Sequence, residues 1–195
     1  MMFFFKYSNL KCYFEQKTKH MNKYIGAVLL FALFSCQNTE HHAAAAADST
    51  EVPAKNGSAV SLKEPAVQAI YTDYIVLKNA LVDTKYEEAK AAAKVLSAKL
   101  AVFQGCENTA LIADKIRDAK NIEEQRKEFT FLSSDVIAMF KHADLLSGTI
   151  YVQHCPMANH GDGGDWLSSD KKIQNPYYGS EMMDCGAVIE EIKGK

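Results

Sequence analysis

Residues 65–105 read PAVQAIYTDYIVLKNALVDTKYEEAKAAAKVLSAKLAVFQG, and their apolar spacing decides the fold class. Val67, Ile70, Tyr74, Leu77 and Leu81 recur at alternating steps of three and four, which stacks them on one face of a helix. Asp83-Thr84 interrupts the pattern, and Thr84 with Glu87 three residues on predicts a capping box for a second helix. There Ala89, Ala93, Leu96, Leu100 and Phe103 repeat the spacing, with small alanines that permit close approach of the first helix. Gly105 ends it.

Downstream, Asn108 or Thr109 is expected to cap a shorter helix bearing Leu111, Ile112 and Ile116. Asn121 and Glu124 predict a further capped start, with Ile122, Phe129, Leu132, Val136 and Phe140 on one face and a stop near Gly148. Four amphipathic helices with short connections predict a mainly α domain, an antiparallel helical bundle. Stripes at this spacing are core, not a cofactor box, and Cys106 reads as a small buried apolar residue.

After Gly148 the composition changes. Thr149-Ile150-Tyr151-Val152-Gln153 is β-branched and aromatic, so a short strand is expected, with Ala187-Val188-Ile189 as its hairpin partner. Between them runs a long stretch without periodicity. A loop of that length in a compact domain is functional or held by something specific.

Upstream, residues 1–36 are read as the export segment; residues 1–20 fit poorly as an n-region, so Met21 is the expected start, with a genuine N-terminal extension as the alternative. Lys23 supplies positive charge, and Tyr24 to Phe34 is an uncharged apolar run too short to span a bilayer. Leu33-Phe34-Ser35-Cys36 resembles the lipobox of bacterial lipoproteins, although Phe34 is bulkier than the residue usual there. The resemblance implies cleavage before Cys36, lipidation of its thiol and attachment to a membrane. The protein is then expected as an exported periplasmic or outer-membrane lipoprotein. Residues 37–64 lack aromatics and periodicity and read as a flexible tether, which leaves residues 65–195 as the folded domain.

Composition narrows the function. The net charge of -2, with lysines and glutamates interspersed, gives no basic track for nucleic acid. Five cysteines at irregular spacing do not make a disulfide scaffold.

The chemistry-bearing residues lie in the C-terminal stretch. Cys155 and Met157 are two apart, so an extended chain points both the same way. Met182 and Cys185 are three apart, so one helical turn gives them a shared face. Together the pairs would supply two thiolates and two thioethers, ligands suited to Cu(I) or Ag(I). His154, His160 and His142 are candidate nitrogen auxiliaries. Trp166, Asn175 and Pro176 are expected to shape the loop, with Trp166 packing or acting as a lid.

Other readings of the same residues remain open at this point. Cys155 and Cys185 would form a disulfide under oxidising conditions, as in a structural or interaction module. Two cysteines and two histidines would suit zinc. An enzyme with Cys155 as nucleophile and His154 or His160 as base lacks an orienting acid and an oxyanion pattern, so no catalytic activity is expected.

The string Tyr151-Val152-Gln153-His154-Cys155-Pro156-Met157-Ala158, followed by Gly164-Asp165-Trp166-Leu167-Ser168, Ile173-Gln174-Asn175-Pro176-Tyr177-Tyr178-Gly179, Met182 and Cys185-Gly186, resembles a bacterial domain of unknown function. That domain occurs in lipoproteins and appended to copper/silver-efflux membrane-fusion proteins. Tyr74 and Leu77-Lys78-Asn79-Ala80-Leu81 are similar to its first helix, so the resemblance covers about residues 66–190. It implies an association with heavy-metal efflux and an efflux adaptor as partner. Cys-Pro-Met is also similar to a short heavy-metal-binding motif of copper pumps, but Ala158 stands where that motif often has His.

Overall fold

The computed structural model describes residues 59–194; the export signal, Cys36 and most of the tether lie outside these described residues. Among them the chain runs β1 (Ser61–Leu62), α1 (Pro65–Val82), α2 (Tyr86–Val102), α3 (Glu107–Asp118), α4 (Ile122–Phe140), β2 (Leu145–Ser147), β3 (Thr149–Cys155), β4 (Gly164–Ser168) and β5 (Ala187–Lys193). Consecutive helices pack on one another, and α4 also packs against β4. The protein is mainly α, with small antiparallel sheets at its C-terminal end.

The helical faces read from the sequence form the core. Tyr74, Leu77, Leu81, Ala89, Ala93, Leu96, Leu100, Phe129, Leu132 and Phe140 are all fully buried. Burial of this kind contributes roughly 1.5–3 kcal/mol for each large apolar side chain. Cys106 is fully buried and already partnered.

Local signals were less reliable than faces. Asn121 caps α4 as expected, its side chain accepting from the Glu124 N–H at 2.8 Å. The capping box at Thr84 does not form: Lys85 occupies the cap position of α2, without a side-chain cap bond. Thr84 instead closes α1, in the left-handed region at φ 56. The Thr84 N–H donates to the Leu81 carbonyl and the Lys85 N–H to the Ala80 carbonyl, a pairing that satisfies the last carbonyls of the helix. Neither Asn108 nor Thr109 caps α3, which follows Cys106. Thr109 points inward and donates to Asp135 at 3.0 Å, and Leu111 is exposed whereas Ala110, Ala113 and Ile116 carry the buried face.

The domain also reaches further upstream than Pro65. Ser61–Leu62, inside the segment read as tether, pairs antiparallel with β2, and Leu62 is buried.

The C-terminal stretch contains more regular structure than its sequence indicated. The expected pairing of β3 with β5 is present, with His154 opposite Ala187 and Gln153 opposite Val188. A further strand, β4, pairs with the other side of β3, so the sheet has the order β4-β3-β5 with β3 in the middle. Gly164-Asp165-Trp166-Leu167-Ser168 was hidden because only its Trp and Leu are large and apolar, too few to set up an alternation.

Candidate functional site: a thiol pair at the end of the sheet

Buried tyrosines fix where the sheet sits on the bundle. The Tyr74 hydroxyl of α1 lies 2.7 Å from Ser133 Oγ of α4 and accepts from the Leu167 N–H of β4 at 3.1 Å. Burial raises its pKa well above the ordinary tyrosine value, so it stays a neutral hydrogen-bonding group. The ring stacks on Phe129, which meets Tyr177, which in turn meets Trp166 edge-on at 6.0 Å. Tyr177 donates to the Asp165 carbonyl, and its ring fills the space that a Cβ at Gly164 would need. Only glycine allows that approach.

The Asn-Pro-Tyr turn that carries Tyr177 is tied down from two sides. Arg126 of α4 donates Nε–H to the Pro176 carbonyl at 2.9 Å and Nη2–H to the Leu81 carbonyl and Thr84 Oγ1. One guanidinium therefore links the end of α1, α4 and this turn, in the fork geometry that Arg supplies and Lys does not. Asn175 is fully buried, accepts from the Tyr177 N–H at 2.8 Å and donates to the Cys185 carbonyl at 3.1 Å. The Asn175 N–H donates to the Met183 carbonyl. The expected shaping role of Asn175 and Pro176 thus has a definite form: they hold the segment that presents Cys185.

Cys155 ends the central strand β3 and is fully buried, while Cys185 lies just before β5 and is half-buried. Their sulfurs stand 2.9 Å apart, and both are free thiols. Cys185 carries a thiol pKa raised above the ordinary value, first by its hydrogen bond with the Cys155 thiol and then by desolvation. The Met157 backbone, which hydrogen-bonds to Cys185, pulls the other way. Gly186 follows at φ +144; a Cβ there would lie 2.6 Å from the His154 carbonyl oxygen and 3.1 Å from Trp166 Cη2. The approach of the Cys185 segment to β3 therefore requires glycine. Trp166 is fully buried beneath this contact, so it is a floor and not a lid.

The remaining sequence-predicted ligands are distributed unevenly. Met157 is 52% exposed, on the turn that follows Cys155, and Met182 is half-buried after the single turn Gly179–Glu181. His154 is adjacent to Cys155 in β3, where successive side chains alternate faces, and its Nδ1 lies 2.7 Å from Asp165 Oδ1 across the β3–β4 pair. His142 is exposed in the turn after α4 and already partnered, and His160 is exposed near Gly161. Among the described residues no group of three or more His, Cys, Asp or Glu is placed to hold a metal ion. The structure brings Cys155 and Cys185 together and leaves the histidines out. Sequence reasoning missed the roles of Asp165, Arg126 and Gly186; Asp165 and Gly186 stand inside the C-terminal motif, but nothing in their spacing pointed to His154 or to the close approach at β3, and Arg126 carried no signal.

Fold and site define a small helical domain with a C-terminal sheet that presents two adjacent thiols. A family model described as "Protein of unknown function (DUF3347)" matches residues 70–148. A DUF3347 domain is thus found over most of α1, through α4, to the start of β3, and the thiol pair lies outside the match. No curated protein and no solved structure matches the chain.

Proposed function

We propose that this protein is a lipid-anchored extracytoplasmic carrier of monovalent copper or silver, held to a membrane through Cys36 and loaded at Cys155 and Cys185. The observation that carries the reading is the pair of free thiols 2.9 Å apart, one buried and one half-buried. Thiolate and thioether donors favour soft monovalent copper, whereas zinc takes four ligands, and among the described residues no group of three or more His, Cys, Asp or Glu is placed to hold it. Two thiolates around a +1 ion leave a net charge of about -1, a balance that suits a soft cation over a hard one.

Met157 and Met182 are the auxiliary donors of this reading, and the exposure of Met157 on the turn after Cys155 supports a role in first contact with the ion. Such a site sequesters the ion or passes it on by ligand exchange, and this requires an accessible ligand but no catalysis. The resemblance of the Cys-Pro-Met segment to efflux-associated domains supports an efflux membrane-fusion adaptor as recipient.

The test is an anaerobic titration of the reduced full chain with Ag(I) or Cu(I) against a competing chelator. One-to-one binding should weaken at least about 100-fold in the Cys155→Ser, Cys185→Ser double variant, because both thiolate donors are lost. Equal binding by the two proteins would overturn the metal reading and leave the non-enzymatic interaction module as the explanation of the pair. The anchor is tested separately, since Cys36→Ser should abolish incorporation of labelled fatty acid.

A further inference from the structure

We infer that Cys155 and Cys185 also form a reversible dithiol–disulfide couple, with Cys185 as the exchanging thiol and Cys155 as the resolving thiol, and that oxidation of the pair blocks metal loading. The last clause rests on the metal reading above; the exchange itself does not.

The sulfur separation supports both states of the couple. At 2.9 Å the thiols are unbonded, and closing to a disulfide of about 2.05 Å needs a contraction of under an ångström. Two sulfurs on one ion, with metal–sulfur bonds of about 2.3 Å, stand roughly 3.8–4.6 Å apart, so loading needs an opening of about an ångström or more. The reduced pair lies between these end states. The two are mutually exclusive, because a disulfide has no thiolate to donate.

The order of attack follows from burial. Cys155 is fully buried at the end of the middle strand, while Cys185 is half-buried on the segment before β5 and is reached first by an incoming disulfide. Deprotonated Cys185 attacks one sulfur of that disulfide, whose own S–S bond breaks. A mixed disulfide remains on Cys185, and the departing thiolate takes up the proton. Cys155 then attacks Cys185 Sγ, and the second thiol departs with the Cys155 proton. Two protein thiols are oxidised to one disulfide and one small disulfide is reduced to two thiols.

The experiment uses the reduced full chain with oxidised glutathione, quenched with acid and mapped by peptide mass spectrometry, which reads these two cysteines separately from the others. Wild-type protein should give a Cys155–Cys185 link, reversed by dithiothreitol. Cys155→Ser should accumulate glutathione on Cys185, and Cys185→Ser should leave Cys155 unmodified. Circular dichroism of both variants establishes that they are folded, and the transient glutathione adduct on wild-type Cys185 gives the same order without any substitution. Absence of the link, or faster modification of Cys155 than of Cys185, would overturn the proposal. Ag(I) bound per chain should fall from one in the reduced protein to none in the linked protein, and undiminished binding by the linked protein would overturn the gating. A link that forms in a protein binding no Ag(I) when reduced would remove the metal reading while leaving the exchange in place.

Discussion

The helical bundle and the thiol segment are held by different physics. In the bundle, apolar faces repeat along four helices, and residues such as Leu77, Leu96, Ile116 and Phe129 are buried by their neighbours. In the segment from Cys155 to Gly186, single polar groups carry the geometry: Asn175 on the Cys185 carbonyl, Arg126 on the Pro176 carbonyl, and the Gln153 amide donating to the Asp170, Lys171 and Lys172 carbonyls. Burial is non-directional and tolerates small shifts, whereas a hydrogen bond fixes where one atom sits. The first suits a scaffold, and the second suits a site that must keep two sulfurs in contact.

The contrast can be broken most severely at the thiols. The double serine variant should lose metal binding by the two orders of magnitude given above yet stay folded, with a stability loss of about 1–3 kcal/mol from the hydroxyl placed at fully buried Cys155. Coupled loss of folding in that variant, read by thermal denaturation of the reduced proteins, would mean the two regions are one cooperative unit.

A smaller effect is expected at Lys78, where the bundle violates its own rule. This lysine of α1 is 3% exposed, and burial lowers its pKa to about 8, against the attraction of Asp170 and Asp83. Between that value and the ordinary one the unfolded chain binds more protons than the folded chain, so stability rises with pH through this window. Below it, the folded state holds a desolvated charge that costs at most about 3 kcal/mol. Lys78→Met should therefore raise stability at pH 7, with the advantage over wild type shrinking as pH climbs above 8. Urea unfolding across that range measures it; a variant no more stable than wild type at pH 7 would show that the ammonium is compensated.

The smallest expected effect is at Asn175. Asn175→Ala leaves the Cys185 carbonyl and the Tyr177 N–H without their partner, a cost of roughly 1–3 kcal/mol. Hydrogen exchange should quicken between residues 175 and 186, while the amides of α1 to α4 stay as protected as in wild type. Uniform loss of protection would place Asn175 in the scaffold instead.

The same division explains what could be read from the chain before its structure. Periodic apolar positions such as Val67, Ile70, Tyr74, Leu77 and Leu81 each repeat one instruction, so the helices were legible even where individual caps were not. The capping box at Thr84 was misread because capping and helix-ending signals share residue types, and here Arg126, forty-two residues away in sequence, uses the Thr84 hydroxyl. In the C-terminal segment, the pairing of β3 with β5 was legible from β-branched runs, and the approach of Cys155 to Cys185 was an open conjecture from spacing. The Asp165 partner of His154 was invisible, because it depends on the register of a strand with no periodic signature.

The sheet order β4-β3-β5 places the last strand of the described chain beside the middle one. Cys185 stands just before β5, and the strand that ends in Cys155 lies between β5 and β4. A chain emerging from its N-terminal end therefore has all four helices available before the site exists at all. Assembly of the thiol pair therefore requires that synthesis has run past residue 185, and a copy truncated before it would carry Cys155 without its partner thiol.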